Sequence, residues 1–307
     1  MWPTPSFGAE TMIVENQKQL TEFALDVMKR TPDPRLREIM TSLITHLHGF
    51  IRDVRLTERE FQDACAIIAE MGHHTNDTHN EVVLMAGSLG VSSLVCLLNN
   101  GDKGNTETNQ NLLGPFWRLN HPVTPNGASI MRSKTVGEPL FARARFLDVA
   151  GKPIVGAEVD VWQSNAEGFY ENQDETQVDM NLRGKFTTDA NGEVWFRSVK
   201  PSGYPIPTGG PVGRLLIAQE RHPFRPAHLH FLAYKEGYKT LISQVYFDDD
   251  PRIETDAQFG VTKALLGHSD RHEGGAPEAD VTGVWHSMNY EFRMEAGEAR
   301  LPRPPIK

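Results

Sequence analysis

The hydrophobic period of this chain changes once, near Gly101, and that change limits the folds open to it. Before it, apolar residues recur at helical spacing. Within residues 36–54 they fall at Leu36, Met40, Leu43, Leu47, Phe50 and Val54, a four-three alternation that makes one helix stripe. Thr57-Glu58-Arg59-Glu60 has the form of a capping box, in which the Thr hydroxyl and the Glu carboxylate satisfy N–H groups left unpaired at a helix start. It predicts a helix through Phe61, Ala64, Ile67 and Ile68 to Met71, ended by Gly72 in the left-handed conformation. A further helix is expected over residues 80–98, and Pro32 and Pro34 separate the first helix from the second.

After Gly101 the segments are short, alternating and punctuated by Gly, Pro and Asn. Residues 142–149 and 157–162 alternate as strands do, with Lys152-Pro153 as a turn between them. Residues 186–196 read as a hairpin with Asn191-Gly192 in a type I′ turn, and 229–234 and 241–247 read as further strands. No internal repeat stands out. The expectation is an α+β chain, with a helical N-terminal region (1–105) followed by a β-sandwich region (106–307).

Composition narrows the function. The 307 residues carry a net charge of -9, which argues against a nucleic-acid surface, since that needs a clustered basic face. Cys65 and Cys96 are the only cysteines, too few for a thiolate-rich metal site; their apolar helical settings read as buried free thiols. No apolar run approaches the roughly 20 residues of a membrane span, and the first residues lack a basic and apolar leader, so a cytoplasmic protein is expected.

Four residues form a candidate ligand set. A strand points residues i and i+2 to one face, so His228 and His230 can reach one ion while Leu229 and Phe231 face the other way. Alone, this pair reads equally well as two histidines satisfied by hydrogen bonds. Tyr170, in Gly168-Phe169-Tyr170-Glu171, and Tyr204, in Ser202-Gly203-Tyr204-Pro205, would each singly be packing residues. Together they are selective. A phenol has a pKa of about 10, so binding it as phenolate near neutral pH requires a strong Lewis acid. Zinc favours imidazole, thiolate and carboxylate; iron(III) is hard and suits phenolate oxygen. Arg225, three residues before His228, reads either as a structural ion pair or as a fixed positive charge beside a substrate ring. Gln244 reads as a sheet-face residue or a second polar group. Asp248-Asp249-Asp250-Pro251 reads as a solvated turn, because it lacks the spaced oxygen ligands of a calcium loop.

Gly168-Phe169-Tyr170, Asn181-Leu182-Arg183-Gly184-Lys185-Phe186, Tyr204-Pro205-Ile206-Pro207 and Arg225-Pro226-Ala227-His228-Leu229-His230 resemble the intradiol ring-cleaving dioxygenases as a set. The helical N-terminal region with Leu113-Gly114-Pro115-Phe116 resembles their catechol, chlorocatechol and hydroxyquinol branch. Residues 90–95, 204–213 and 221–231 look most like hydroxyquinol-cleaving members. The resemblance implies one non-haem Fe(III) per subunit on Tyr170, Tyr204, His228 and His230. It implies cleavage of hydroxyquinol with O2 to 3-hydroxy-cis,cis-muconate, which tautomerises to maleylacetate. Tyr204 would leave the metal and act as a base, Arg225 would stabilise the electron-rich ring carbon, and Gln244 would assist. Leu84, Gly87, Leu113, Gly114, Pro115, Phe116, Ile206 and Pro207, with Arg225, would line the substrate pocket. A homodimer through the N-terminal helices is implied, with a phospholipid in an apolar tunnel there. One departure matters: hydroxyquinol-cleaving members tend to carry an acidic residue where this chain has Gly87. That makes catechol or a chlorocatechol the alternative substrate. From another class, the alternative is a transthyretin-like or cupin-like β domain that holds zinc or a ligand without redox chemistry.

Overall fold

A computed structural model describes residues 13–77, 79–99 and 107–305. The chain forms two compact units, Met1–Ile68 and Ala69–Lys307.

In the first unit, helix α1 (Gln17–Met28) starts at Asn16, whose side chain accepts the N–H of Gln19 at 3.0 Å. Helix α2 (Pro34–Val54) starts at Asp33, whose carboxylate accepts from Arg35 and Leu36 at 2.8 and 3.0 Å. Pro34 suits the first position because no hydrogen bond is asked of its nitrogen there. Thr21 ties the two helices: its hydroxyl is 3.0 Å from His48 Nδ1 and accepts from Arg52 at 2.9 Å. The expected stripe lies on α2, yet α2 has no buried residue; Leu43, Leu47 and Phe50 are each about half exposed. Helix α3 (Glu58–His74) opens on the expected capping box, with Thr57 donating to Glu60 Oε2 at 2.8 Å and accepting from the Glu60 N–H at 3.3 Å. The helix does not end at Gly72. It runs to His74, where the Thr75 hydroxyl takes the carbonyl of Met71 at 2.9 Å. Cys65 is exposed on α3 and Cys96 is half-buried, both as free thiols, so the expectation of burial fails.

The second unit takes in the end of α3 from Ala69 onward and continues with helices α4 (Glu81–Ser88) and α5 (Val91–Asn99). The single helix expected over 80–98 is broken at Gly90, whose φ of +73° ends α4 as only glycine does cheaply, and the two pieces bend by 75°. Among the described residues no single helix is long and apolar enough to cross a membrane. The division expected at residue 105 falls among residues outside those described.

The strands follow as β1 (Pro139–Asp148), β2 (Glu158–Trp162), β3 (Arg183–Thr187), β4 (Glu193–Val199) and β5 (Tyr204–Pro205). Helix α6 (Pro211–Ala218) precedes β6 (Phe224–Arg225), β7 (His228–Tyr234), β8 (Leu241–Phe247), β9 (Leu266–Gly267), β10 (Ser269–Glu273) and β11 (Val284–Met294). They build a four-stranded sheet, β10-β11-β1-β4, a five-stranded sheet, β3-β2-β7-β8-β9, and a ribbon, β5-β6. The main core draws Phe146, Phe196 and Phe292 from the first sheet and Phe186, Phe231 and Val245 from the second, as a sandwich requires. The α+β class with a sandwich is therefore as expected.

Residues 186–196 do not form a hairpin. Strand β3 pairs with β2 and β4 with β1, so the connection arches from one sheet to the other. Phe186 and Phe196 stack across the core with ring centroids 5.4 Å apart, a contact that partners within one hairpin would not make in this way. The turn is Asp189–Gly192, closed by Gly192 N–H to the Asp189 carbonyl at 3.0 Å. Asp189 Oδ1 also accepts from Asn191 and Glu193 at 2.9 and 2.8 Å. Gly192 has φ +76° while Asn191 stays at negative φ, so a type I′ turn is excluded.

Candidate metal centre

The alternation of β7 sets the site. Leu229, Phe231 and Ala233 enter the sandwich core, while His228, His230 and Leu232 face the opposite side. There Phe116, Trp117, Trp162, Tyr170, Tyr204 and Leu232 form a second apolar cluster, with Leu113 packed against it. All four predicted ligands are buried, none more than 4% exposed.

Their polar atoms converge. His228 and His230 present their Nε2 atoms 3.1 Å apart, and Tyr170 Oη lies 3.5 Å from His228 Nε2. The Tyr204 ring stands 5.5 Å from both the Tyr170 and the His228 ring. His228 donates its Nδ1–H to the Pro226 carbonyl at 2.8 Å, which fixes the tautomer that leaves Nε2 as an acceptor. Trp162 is in register with His230 and stacks on it at 4.5 Å and 7°. Gly114, at φ +73°, lets its loop pass so close that a Cβ there would meet His230 Cε1 at 3.2 Å.

Electrostatics favours the ligand form of each imidazole. Burial, helped by the charge of Arg225, pushes His228 down to about 3. Burial and then His228 hold His230 well below the usual histidine range. Burial, then Tyr204, pushes the Tyr170 phenol well above its usual value, so only a strong nearby cation would make it a phenolate.

The residues fit an ion. Two nitrogens bound at about 2.1 Å and at a right angle stand about 3.0 Å apart, close to the spacing found here. Among the described residues no group of three or more His, Cys, Asp or Glu side chains could hold a metal, so a third protein ligand beside the two imidazoles would be a phenol. That donor set is hard and suits Fe(III) better than zinc.

Two networks hold the tyrosines. Tyr170 opens a short turn, Glu171–Gln173, and its N–H donates to Gln173 Oε1 at 3.1 Å. The adjacent Glu171 carboxylate is buried and accepts from Arg183 at 2.7 Å and Arg118 at 3.0 Å. Arg183 also donates to the Phe116 carbonyl at 2.6 Å. Tyr204 sits on the β5-β6 ribbon directly opposite Arg225. Asp250 accepts the Ala227 N–H at 2.9 Å, so one residue of the expected acidic turn anchors the entry to β7.

Arg225 is buried, pairs through Nε with Asp256 at 3.2 Å, and donates to Tyr246 Oη at 2.6 Å and Gln244 Oε1 at 3.0 Å. The ion-pair reading of Arg225 is thus what the structure shows, on the strand opposite Tyr204. Burial alone would raise the Asp256 carboxyl; the Arg225 guanidinium and the N–H groups of Gln258 and Gly260 outweigh it and hold it below its usual value. Gln244 is opposite His230 and donates to the Leu112 carbonyl at 2.6 Å.

The expected wall divides. Leu113 and Phe116 pack with the tyrosines, and Gly114 touches His230. Pro115 is half-buried between Gly114 and Phe116. Leu84 and Ile206 join a third apolar cluster with Val212, Leu216 and Ala257, while Pro207 is exposed. Gly87 is buried on α4 against Gln258. Trp162, Tyr246, Asp256 and Glu171 complete the site without having been anticipated. Tyr246 was accessible to sequence reasoning, since it lies two residues after Gln244 on one strand face. Asp256 was not, for its pairing with Arg225 bridges 31 residues of chain.

Two expected results follow from these networks. Arg183→Ala leaves the buried Glu171 carboxylate short of its main partner and should cost about 3 kcal/mol in urea unfolding. For the pH dependence of the metal-free protein, His228 binds its proton near 6.5 when unfolded but only near 3 when folded. Stability is thus fully present above pH 6.5 and is lost as pH falls towards 3. Between pH 7 and pH 5 this group alone should remove about 2 kcal/mol, measurable by urea titration at the two values.

Comparison with known proteins agrees with this geometry. A family model described as "Dioxygenase" matches residues 112–296, and one described as "Catechol dioxygenase N terminus" matches 33–106. The chain is similar to a hydroxyquinol 1,2-dioxygenase of Rhizobium sp. (strain MTP-10005), 40% identical over 93% of this chain and 97% of that protein. It is 37% identical to a 6-chlorohydroxyquinol 1,2-dioxygenase of Cupriavidus pinatubonensis over 88% of this chain and 97% of that one. Among solved structures, a hydroxyquinol 1,2-dioxygenase from Pseudomonas putida DLL-E4 superposes with a TM-score of 0.83 at 36% identity, covering 92% of this chain and 99% of the other. Buried phenols and imidazoles on a sandwich preceded by helices, and relatives matched over nearly their whole length, place this chain in the intradiol ring-cleavage dioxygenase family.

Proposed function

We propose that this enzyme cleaves hydroxyquinol between its adjacent hydroxyl-bearing carbons with O2, giving 3-hydroxy-cis,cis-muconate and hence maleylacetate. The observation that carries the reading is the convergence of His228, His230 and Tyr170, with Tyr204 alongside, next to a buried arginine. These four residues would hold one Fe(III) per chain. When bound, Fe(III) supplies Lewis acidity and a template for the two diol oxygens. Hydroxyquinol is favoured over catechol by the relatives described above, whose names specify hydroxyquinol or its chlorinated form.

The chain's own residues then divide the work. Tyr204, on the β5-β6 ribbon opposite Arg225, would be the phenol that gives up its position and accepts a diol proton at Oη. His228 and His230 stay fixed, one by the Pro226 carbonyl and the other by the stacked Trp162. Arg225 keeps its charge because Asp256 balances it, and it offers a preorganised positive field to the electron-rich ring. Gln244 and Tyr246 hold that guanidinium in place. Leu113, Phe116 and Trp162 exclude water from the reacting carbons. The division into a helical region, 1–105, and a catalytic region, 106–307, belongs to the same proposal. So does a homodimer through the N-terminal helices with a lipid between them, supported by the exposed apolar stripe of α2.

Oxygen uptake and product identification with hydroxyquinol, catechol and 4-chlorocatechol test the substrate. The expected result is the highest kcat/KM with hydroxyquinol. A higher value with catechol would assign the chain to catechol cleavage instead.

A further inference from the structure

Helix α6 has no cap of its own. Its N-cap position is Gly210, which has no side chain to offer, and Pro211 follows without an N–H. The first donor of the helix that needs an acceptor is therefore the Val212 N–H. It finds one 131 residues away, in Glu81 Oε1 at 2.9 Å. Glu81 is the first residue of α4, but the start of α4 is already served by Asn80, which accepts the Val83 N–H at 3.0 Å. The Glu81 carboxylate is given to the other helix. Glu81 is only 1% exposed, and its second oxygen, Oε2, lies 2.6 Å from His79 Nε2. A Cβ on Gly210 would stand 2.5 Å from Glu81 Oε1, so glycine at that position is what admits the carboxylate. A negative charge at a helix start is also favoured by the helix dipole.

This cap bears on the centre because of where α6 lies. The helix is the connection between β5 and β6, the two strands of the ribbon that carries Tyr204 and Arg225. Ribbon, turn and helix are joined stiffly. The Ile206 N–H donates to the Pro223 carbonyl at 2.9 Å, which continues the ribbon beyond its named strands. A Cβ on Gly213 would lie 2.0 Å from the Thr208 carbonyl oxygen, so the turn packs directly on the helix. Ile206, two residues after Tyr204, is buried with Val212 and Leu216 of α6. A shift of α6 is therefore carried into the strand that holds Tyr204. Two polar ties fix α6 to the helices before it. One is Arg214, whose Nη1 donates to Glu70 Oε1 at 2.9 Å, but that pair is exposed and for that reason weak. The buried tie is Glu81.

We infer that Glu81 is a positioning residue of this enzyme: by capping α6 it holds the β5-β6 ribbon and sets how readily Tyr204 yields its place to the incoming diol. The inference rests on the reading of the centre as a diol site in which Tyr204 gives way. Glu81 acts through α6 and not by contact with the ring. Without the cap, Tyr204 should yield sooner, but its Oη should be less well placed to accept the diol proton, which lowers turnover.

The test uses the iron-loaded full chain as wild type, Glu81→Ala, Glu81→Gln and Gly210→Ala. Two spectroscopic quantities are measured: the visible band of the resting protein, and the rate constant of its shift when hydroxyquinol is mixed in without oxygen. Steady-state kcat and KM are measured alongside. Loss of one helix cap moves a local equilibrium by about fivefold, so in Glu81→Ala the shift should be about fivefold faster. Its resting band should be weaker, and kcat should change more than KM. Gly210→Ala keeps the carboxylate but pushes it from the helix, so it should change in the same direction; it decides the matter should Glu81→Ala fail to fold. Glu81→Gln keeps an acceptor for the Val212 N–H and should stay within about twofold of wild type. A shift in Gly210→Ala no faster than in wild type, or one in Glu81→Gln as fast as in Glu81→Ala, would overturn the role of Glu81. A wild-type band that does not respond to hydroxyquinol would instead overturn the reading of the centre, and the inference with it.

Discussion

Replacing His228 by alanine should leave the chain folded but unable to retain iron, with turnover reduced by more than about a hundredfold. The magnitude is a lower bound with a physical basis. Loss of a residue that merely orients a ligand costs about 10–100-fold in affinity or activity, and His228 is itself a proposed ligand. Its removal leaves His230 Nε2 facing a void, where it now has an acceptor 3.1 Å away. Folding should survive because Leu229 and Phe231, which fill the sandwich core from the other face of β7, are untouched. Metal analysis of the purified variant, with oxygen uptake, checks both halves. Full iron content in His228→Ala would remove this residue from the ligand set.

Arg225→Ala should be costly in two separable ways. The Asp256 carboxylate would be buried without its cation, which destabilises by about 3–5 kcal/mol. The positive field beside the ring would also vanish, lowering kcat by about 10²–10³-fold. Asp256→Asn separates the two effects. It disturbs the same buried pair but leaves the guanidinium in place, bonded to Tyr246 and Gln244. Urea unfolding should therefore report a loss in both variants, whereas kcat should fall far more in Arg225→Ala. Arg225→Lys should not restore kcat, because an ammonium on a flexible stem cannot make the same fork of bonds to Asp256, Tyr246 and Gln244. Equal kcat losses in Arg225→Ala and Asp256→Asn would mean that Arg225 acts only through the fold.

Much of the centre was legible because it follows from local rules. A period of two on β7 puts His228 and His230 on one face, and phenols beside imidazoles restrict the ion. The sandwich was legible from short alternating segments and turn residues. What escaped depends on contacts between distant parts of the chain. The segment around Asn191-Gly192 carries a strong hairpin signal, yet β3 pairs with β2 and β4 with β1, and Phe186 and Phe196 stack across the core. The helical pattern over 80–98 gave no sign of its break, because Gly90 matters only once its backbone turns left-handed. Cys65 looked apolar in context but lies on the exposed side of α3. Gly87 read as an empty place on a pocket helix; the structure fills it with Gln258, a relation that no local pattern encodes. Asp256, the counter-ion of Arg225, was hidden for the same reason.

The visible absorption spectrum of the iron-loaded chain tests the central claim most directly, since a phenolate on Fe(III) absorbs strongly there and the same ion on imidazoles alone does not. The account predicts one iron per chain, a charge-transfer band that weakens in Tyr170→Phe and Tyr204→Phe, and a shift of that band when hydroxyquinol is added without oxygen. A folded, iron-loaded protein that is colourless, or a band unchanged by both tyrosine substitutions, would contradict it.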